Sequence, residues 1–326
     1  KGLLLPRMKS HRIMVTGGAG FIGSHLVDSL IERGHEVVVY DNISSGSKEF
    51  LSHCMDEIEF LERDLVSDEN IEECLQGVDH VYHVAANPDV RIGADNTWVS
   101  VAQNILATYN LLESMSKVDR DIPPSLSFTS TSTVYGNAKE LPTPEDYGPL
   151  VPISQYGASK LAAEALISAF SDNFGIRSSV FRFANVVGSR STHGILFDFY
   201  HKLKEDPKRL EILGDGLQRK SYIHVSDCVE GVIHATEYQK TPFEYYNLGT
   251  RDYVEIKEIP DIVCEAMGLD DVEYVYTGGH KGAGWKGDVK FMSLAVDKII
   301  STGWMYELNS RETLERAIRE IIEDLS

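Results

Sequence analysis

The sequence predicts an α/β fold with a doubly wound parallel sheet, followed by a smaller C-terminal α/β substrate lobe. Two observations support this prediction. Short apolar runs alternate with helical patterns through the first half of the chain, as expected for successive βαβ units. A glycine-rich turn also separates the first apolar run from the first helical pattern. The 326 residues are enough for one large or two modest domains.

The elements of the first half follow from the period of the apolar residues. The runs that bound the turns are short and rich in β-branched residues, which is typical of buried strands. Strands are predicted at 12–16, 36–40, 58–61, 80–84, 126–128 and 177–183, and helices at 21–32, 68–76, 98–116 and 154–174.

After Asn185 the alternation loosens, and glycine and proline separate shorter elements. Helices are predicted at 225–237, 256–267 and 311–325. We therefore expect a cofactor-binding domain over 8–183 and a substrate lobe over 184–326, with an interleaved boundary. Residues 1–7 precede Met8 and are interpreted as a cloning remnant outside the fold.

Composition restricts the partners. A net charge of −19 argues against nucleic acid and against an anionic membrane. No apolar run approaches the roughly 20 residues that span a bilayer. Four scattered cysteines without C-x-x-C spacing indicate reduced thiols, so we expect a cytoplasmic protein.

The glycine turn indicates a dinucleotide site. Gly17, Gly20 and Gly23 form G-x-x-G-x-x-G between a predicted strand and helix, the context of a Rossmann-type pyrophosphate site. Asp41 follows the second strand, where a carboxylate accepts hydrogen bonds from the ribose hydroxyls and repels a 2′-phosphate. This favours NAD over NADP. Asn42 and Ser45 are expected to assist, and Asp64 and Leu65 are expected to border the adenine.

A second pattern indicates the chemistry. Tyr156 and Lys160 are four residues apart in Y-G-A-S-K, so they share one helix face. The ammonium of Lys160 and a cationic nicotinamide ring are together expected to lower the pKa of the Tyr156 phenol, which is ordinarily ~10. Lys160 is also expected to hold the nicotinamide ribose. Thr131 lies 25 residues earlier and offers a hydroxyl that bridges Tyr156 to a substrate oxygen. The combination predicts reversible oxidation of an alcohol by NAD.

Taken together, several stretches resemble the extended short-chain dehydrogenases/reductases, and specifically their nucleotide-sugar epimerase branch. The stretches are T-G-G-A-G-F-I-G, D-N-I-S-S-G, H-V-A-A-N-P-D-V-R, S-T-V-Y-G, Y-G-A-S-K, R-F-A-N-V-V-G and Y-I-H-V-S-D. They run from residue 13 to about residue 227, so the resemblance covers most of the chain. It implies a UDP-sugar substrate and tightly bound NAD.

The resemblance also implies contacts for individual residues. For NAD it adds Phe21, Ile22, Gly46, Ala85, Ala86, Asn104 and Phe183. For the nucleotide sugar it implies Asn87, Asn185, His193, Gly194, Arg219, Lys220, Trp285 and Asp288, with Thr131 and Tyr156 at the reacting carbon.

Differences from the family pattern restrict the type of reaction, but they do not identify the sugar. Relatives that eliminate water carry T-D-E-V-Y, whereas this chain has Ser132 and Thr133, which supply no carboxylate. This favours 4-epimerisation of UDP-galactose and UDP-glucose. The family usually has arginine where Lys220 and Trp285 stand, so the diphosphate is expected to be held by Lys220 together with Arg219, Lys286 or Lys281. Met292 leaves acceptance of an N-acetyl group open.

Three alternatives remain at this point. One is an epimerase of UDP-N-acetylglucosamine or UDP-glucuronate, the second is a net NAD-dependent dehydrogenase or reductase, and the third is a non-catalytic NAD sensor. No metal is expected, because His83, His193 and His224 lie on different predicted elements.

The resemblance further implies a homodimer in which the helices at 98–116 and 154–174 pair with their symmetry mates. Val101, Ile105, Leu112, Leu161, Ala165 and Ile167 form their apolar stripes.

Overall fold

The computed structural model describes residues 10–88 and 96–326. Residues 1–7, interpreted above as a cloning remnant, and residues 89–91 of the H-V-A-A-N-P-D-V-R stretch lie outside the described residues. The strands are β1 (Arg12–Thr16), β2 (Glu36–Asp41), β3 (Ile58–Glu62), β4 (His80–His83), β5 (Ser125–Thr131), β6 (Ser178–Phe183), β7 (Asn185–Val187), β8 (Arg209–Ile212), β9 (Arg219–Lys220), β10 (Tyr222–His224), β11 (Phe243–Leu248), β12 (Val254–Glu255), β13 (Glu273–Tyr276) and β14 (Phe291–Met292).

A seven-stranded sheet forms the centre of the molecule, in the order β11-β6-β5-β4-β1-β2-β3. Every pairing in it is parallel. The strand order reverses between β1 and β4, which is where parallel sheets of this type open a crevice at their carboxyl ends. The predicted Rossmann-type sheet is confirmed.

Helices cover both faces of this sheet. They are α1 (Phe21–Glu32), α2 (Ile71–Cys74), α3 (Thr97–Ser100, continued by a π-helical turn Val101–Leu106 and by Ala107–Lys117), α4 (Gln155–Phe174), α5 (Ile195–Glu205), α6 (Val225–Tyr238), α7 (Ile259–Met267), α8 (Asp297–Ile300) and α9 (Ser310–Asp324). On one face α1 and α6 pack together, and on the other α3 packs against α4.

Two apolar cores result from this layering. Leu26 of α1 and Val232 of α6 pack with Val15 of the sheet in one core. Leu111 of α3 and Ile167 of α4 belong to the other. The inner strands β1, β2, β4, β5 and β6 are mostly buried, which explains the continuous apolar runs in the sequence.

The boundary between the two halves is interleaved. Strand β11, which sequence periodicity did not identify, pairs with β6 and extends the sheet from the second half of the chain. Helix α6 also returns to the face that α1 covers. The predicted helix at 68–76 is reduced to Ile71–Cys74. Asp68 instead accepts hydrogen bonds from the Tyr40 hydroxyl and from the backbone of Asn70, which holds the chain in a turn.

The remaining elements build the smaller lobe. Helices α5, α7 and α9 enclose a third apolar core that includes Phe199, Val263 and Ile318. The short strands pair as β7 with β10, β8 with β13, and β9 with β12 and β14. Helix α5 was absent from the sequence prediction. The lobe lies over the carboxyl edge of the main sheet, because residues from both regions line one cavity there.

Candidate active site

A cavity of about 490 Å³ lies between the carboxyl edge of the sheet and the smaller lobe. Its wall is drawn from the ends of β1, β2, β4, β5 and β6 and from the lobe residues around β9 and α5. Among the predicted residues, those that line the cavity are Gly17, Gly20, Phe21, Ile22, Gly23, Asp41, Asn42, Ser45, Gly46, Asp64, Leu65, Ala85, Ala86, Thr131, Tyr156, Lys160, Phe183, Asn185, His193, Gly194, Lys220, Trp285 and Asp288.

The glycine turn is constrained by backbone contacts. A Cβ atom added to Gly17, whose φ is 70°, would lie 2.6 Å from the amide nitrogen of Ala85. One added to Gly23 would lie 2.0 Å from the carbonyl oxygen of Gly17. Helix α1 begins after Gly20, and no side chain caps it. The first amides of α1 therefore face the cavity edge as donors for a pyrophosphate.

Asp41 is fixed at the end of β2 by two backbone amides. Its Oδ2 accepts from Ala19 at 2.9 Å, and its Oδ1 accepts from Ile43 at 2.8 Å. Burial raises the pKa of this carboxyl group, and the two hydrogen bonds oppose the rise. Each carboxylate oxygen keeps a further lone pair for a ribose hydroxyl. The geometry therefore fits an adenosine ribose at this point.

The loop that follows β2 has further contacts at this end of the cavity. Asn42 donates from Nδ2 to Asp64 at 3.1 Å, which joins the loops that follow β2 and β3. A Cβ atom on Gly46 would lie 2.4 Å from the carbonyl oxygen of Ala19. The loop after β2 is thus fixed against both the loop after β3 and the glycine turn.

Asn104 and Asn87 are placed differently from the prediction. Asn104 is only 2% exposed and does not line the cavity. Its Oδ1 accepts from the backbone of Asn87, and its Nδ2 donates to the Ser159 hydroxyl, both at 2.9 Å. Asn104 therefore joins the loop after β4 to helix α4 and helps to fix the position of both elements beside the cavity.

The three predicted catalytic residues meet at the cavity. Thr131 ends β5, while Tyr156 and Lys160 lie in the first turns of α4, where Ser154 caps the helix. The side chains of Tyr156 and Thr131 both line the cavity, and Thr131 acts to lower the pKa of the Tyr156 phenol. Lys160 Nζ donates to the carbonyl oxygen of Thr129 at 2.8 Å. The constellation expected from the sequence is thus assembled in space.

The electrostatics correct one expectation. Burial raises the pKa of Tyr156 to about 12, and the hydrogen bond with Thr131 only partly opposes this. Burial lowers the pKa of Lys160 to about 7, while the charge of Glu164 raises it. The predicted lowering of the Tyr156 pKa by Lys160 is therefore not observed in the chain by itself, because desolvation of both groups dominates.

Thr131 has a well-defined hydrogen-bond environment. The backbone amide of Thr133 donates to Thr131 Oγ1 at 3.1 Å, and the two threonine hydroxyls lie 3.0 Å apart. Thr133 lines the cavity at the position where water-eliminating relatives carry glutamate. In this chain, that position presents a hydroxyl.

The lobe side of the cavity differs from the prediction at Arg219. Lys220 faces the cavity, where its Nζ donates to Asp288 at 2.7 Å and also to the carbonyl oxygen of Val289. Arg219 lies outside it and pairs with Glu255 at 3.1 Å. Neighbouring residues of a strand point to opposite faces, so β9 presents only one of the two cations. Arg219 is therefore not placed to contact a ligand in the cavity.

The other predicted substrate residues lie around the same opening. Asn185 donates from Nδ2 to the carbonyl oxygen of Ser221 at 3.1 Å. Gly194 has a φ of 101° and precedes α5, next to His193. Trp285 Nε1 is buried and has no hydrogen-bond partner among the described residues. Such a donor is well placed to bind an acceptor atom of a ligand.

Sequence reasoning missed several polar residues of the wall, and Gln218 and Lys202 are two of them. Gln218 is 2% exposed, lines the cavity and leaves Oε1 without a partner within the described chain. Lys202 of α5 also lines the cavity and donates to the carbonyl oxygen of Glu211 at 3.0 Å. Lys202 was missed because helix α5 was not predicted from the sequence. Gln218 was missed because no motif or spacing in the sequence distinguishes it.

The histidines considered for metal binding have other partners. His83 lies between the hydroxyls of Thr16 and Thr108, and burial lowers its pKa to about 3. His224 pairs with Glu320 at 2.9 Å.

None of the helices in residues 10–88 and 96–326 is long and apolar enough to cross a membrane.

Comparisons with known proteins agree with this geometry. Residues 13–249 match the model of the NAD dependent epimerase/dehydratase family. A putative UDP-glucose 4-epimerase of Methanocaldococcus jannaschii is 32% identical over 313 residues, which are 94% of this chain and 97% of that protein.

Solved structures are also similar. A UDP-galactose 4-epimerase has a TM-score of 0.86 and 41% identity, with 97% of this chain and 100% of that chain covered. The UDP-glucuronic acid 4-epimerase of Bacillus cereus, solved with UDP-glucuronic acid and NAD, has a TM-score of 0.84 and 27% identity, covering 96% and 99%. The chain is an enzyme that belongs to the NAD-dependent epimerase/dehydratase family, and its cofactor is NAD.

Proposed function

We propose that the protein interconverts UDP-galactose and UDP-glucose by epimerisation at C4. The observation that carries the proposal is the meeting of Thr131, Tyr156 and Lys160 at one cavity wall, with hydroxyls at Ser132 and Thr133. A carboxylate at either of these two positions is what elimination of water would need. The similarity to a UDP-galactose 4-epimerase supports the same reaction.

The reaction follows from the hydroxyls at the wall. Tyr156, acting as the phenolate, takes the proton of the sugar 4-hydroxyl and becomes the phenol while a hydride leaves C4, and Thr131 bridges the two oxygens. When bound, NAD supplies a hydride acceptor and then a hydride donor, so the net reaction needs no external oxidant. The 4-keto sugar turns in the cavity and presents its other face. Tyr156 then returns the proton to the new 4-hydroxyl.

Lys160 supports this proton transfer electrostatically. It lies one helical turn from Tyr156 and is buried, with 2% exposure. A buried ammonium stabilises the phenolate that Tyr156 must carry before it takes the sugar proton more strongly than a solvated ammonium would. The same ammonium is proposed to bind the nicotinamide ribose.

The lobe side of the cavity is proposed to hold the nucleoside diphosphate. Lys220 supplies a cation, and Trp285 offers an unpartnered indole N–H. Lysine binds phosphate as a point charge rather than through a fork. A firmly held diphosphate and a loosely held sugar would allow the 4-keto sugar to turn.

A homodimer is also proposed. Trp98, Val101 and Tyr109 of α3 and Phe174 of α4 are exposed apolar side chains, with 64%, 39%, 41% and 49% exposure. Leu112 and Ile167, predicted from the sequence to lie in the dimer stripe, are instead buried in the chain's own core. A monomer mass by light scattering at micromolar concentration would contradict this proposal.

The test of the substrate is a panel of UDP- and dTDP-sugars, incubated with the protein and separated by chromatography. We expect UDP-galactose and UDP-glucose to interconvert without added NAD and without accumulating NADH. Turnover of UDP-glucuronate or UDP-N-acetylglucosamine alone would keep the mechanism and replace the sugar. Stoichiometric NADH would indicate a net dehydrogenase and contradict the proposal.

A further inference from the structure

An ion pair is fully buried behind the catalytic helix. Glu164 of α4 and Arg182 of β6 are 1% and 2% exposed. Arg182 donates from Nε to Oε1 of Glu164 at 3.1 Å and from Nη2 to Oε2 at 2.7 Å. The pair is therefore bidentate and excluded from water.

This ion pair is joined to the strand ends that carry the site. The Ser130 hydroxyl donates to Glu164 Oε1, and Ser130 directly precedes Thr131. Arg182 directly precedes Phe183, which lines the cavity. Its Nη1 also donates to the Tyr135 hydroxyl at 3.0 Å. Helix α4, β5 and β6 thus meet at one carboxylate.

Burial of two charges needs an explanation beyond stability. Taking both ions out of water costs about as much as their attraction returns, and apolar pairs of similar volume are often equally stable. The explanation that the geometry offers is Lys160. Glu164 lies four residues after Lys160 on α4, so the two side chains share one face of the helix.

The groups around Lys160 leave Glu164 as its counter-charge. Within the described residues, Glu164 is the carboxylate whose charge raises the pKa of Lys160, against the lowering by burial. On β4, His83 is held neutral by burial and contributes no negative charge. On its own helix, Tyr156 is a neutral phenol in the chain by itself. On β6, the positive charge of Arg182 partly compensates the negative charge of Glu164 and so weakens its effect on Lys160.

We propose that Glu164 is a positioning residue that acts through Lys160: its carboxylate, oriented by Arg182 and Ser130, keeps the buried Lys160 ammonium charged. This deepens the proposed function, since the phenolate of Tyr156 needs that ammonium. Arg182 holds the carboxylate in one orientation and moderates its field, so that Lys160 is stabilised as a cation without an ion pair of its own. Lys160 then remains free to donate to Thr129 and to a ribose hydroxyl.

The test is a direct titration of Lys160. Protein labelled with ¹³C at lysine Cε is followed by NMR from about pH 4.5 to about pH 10, and Lys160→Met identifies the signal. We expect Glu164→Gln, which keeps the shape of the side chain, to lower the Lys160 midpoint by about one pH unit or more. Ser130→Ala is the matched control, because it removes a hydrogen bond to the same oxygen but keeps the charge, and we expect a much smaller shift.

A second variant distinguishes an effect of Glu164 on the charge of Lys160 from an effect of Glu164 on folding. If Glu164→Gln alone fails to fold, Glu164→Gln with Arg182→Met removes both buried charges, and we expect a smaller shift of the same sign. An unchanged Lys160 midpoint in the folded variants, even with lower thermal stability, would overturn the inference. A shifted midpoint in a protein that turns over no UDP-hexose would contradict the proposed substrate and leave this inference intact.

Discussion

The two ends of the cavity are built in different ways. At the dinucleotide end, the contacts are made by backbone: amides of Ala19 and Ile43 hold Asp41, and Gly17 approaches Ala85 too closely for a side chain. At the lobe end, long side chains form the wall. Lys220, for example, already pairs with Asp288.

This difference has a physical consequence. Backbone contacts at a turn admit few alternatives, so the dinucleotide end is rigid and tolerates little substitution. Long side chains change rotamer at modest cost, so we expect the lobe end to adapt to its ligand. Substitutions at each end can test this contrast, beginning with the residue that serves both ends.

The largest effect is expected at Tyr156, where the two ends meet. Tyr156→Phe removes the hydroxyl that transfers the proton and keeps the ring that packs at the wall. We expect kcat to fall at least ~10²-fold, the usual scale for a general acid–base residue, with NAD still bound. Single-turnover kinetics and the NAD content of the purified variant measure the two effects. Near-normal turnover would show that Tyr156 is not the proton-transfer group.

The rigidity of the dinucleotide end is tested by a pair of glycines. Gly17 and Gly34 both have positive φ, 70° and 80°, but a Cβ atom on Gly34 would meet nothing within 4 Å. We expect Gly34→Ala to cost only the backbone strain of about 1–2 kcal/mol in the free energy of unfolding.

Gly17→Ala has the same strain and adds a clash with Ala85. We expect it to lower NAD affinity by at least ~10-fold, measured by calorimetry on protein freed of cofactor, because the turn must move. Ten-fold corresponds to about 1.4 kcal/mol. Equal NAD affinities of the two variants would contradict the close approach of Gly17 as the determinant.

The adaptable end is tested by two neighbouring cations. Lys220→Gln removes the charge that faces the cavity and can still hydrogen-bond to Asp288. We expect kcat/KM for the nucleotide sugar to fall by about 10-fold, mainly through KM, because a cation that holds the diphosphate binds substrate and transition state alike. Arg219→Gln, on the outer face of the same strand, is the control and should change kcat/KM less than 2-fold. Similar losses in both variants would contradict the assignment of Lys220.

The same contrast explains what the sequence could predict. The glycine turn, Asp41 and the Tyr156–Lys160 spacing are local patterns, and each lies where the pattern indicated. The main sheet follows from its buried apolar runs. Elements that depend on contacts between distant residues were not predicted. Strand β11, for example, pairs with β6, which lies 60 or more residues earlier in the chain.

Side-chain direction was the other gap. Arg219 and Lys220 are equivalent in a sequence, but only the pairing of β9 with β12 and β14 decides which of them faces the cavity. The pKa of Tyr156 was predicted from its charged neighbour, whereas burial dominates in the structure. Desolvation depends on packing by the whole fold, which a local motif does not report.

The central claim is that hydride leaves C4 of the sugar and returns to C4 within one active site. The most direct measurement uses UDP-galactose with deuterium at C4, incubated with the protein in ordinary water without added NAD. We predict UDP-glucose that keeps the deuterium at C4, because Ser132 and Thr133 offer no carboxylate to divert the 4-keto sugar toward elimination. Solvent hydrogen at C4, or accumulation of a 4-keto-6-deoxy sugar, would contradict the account.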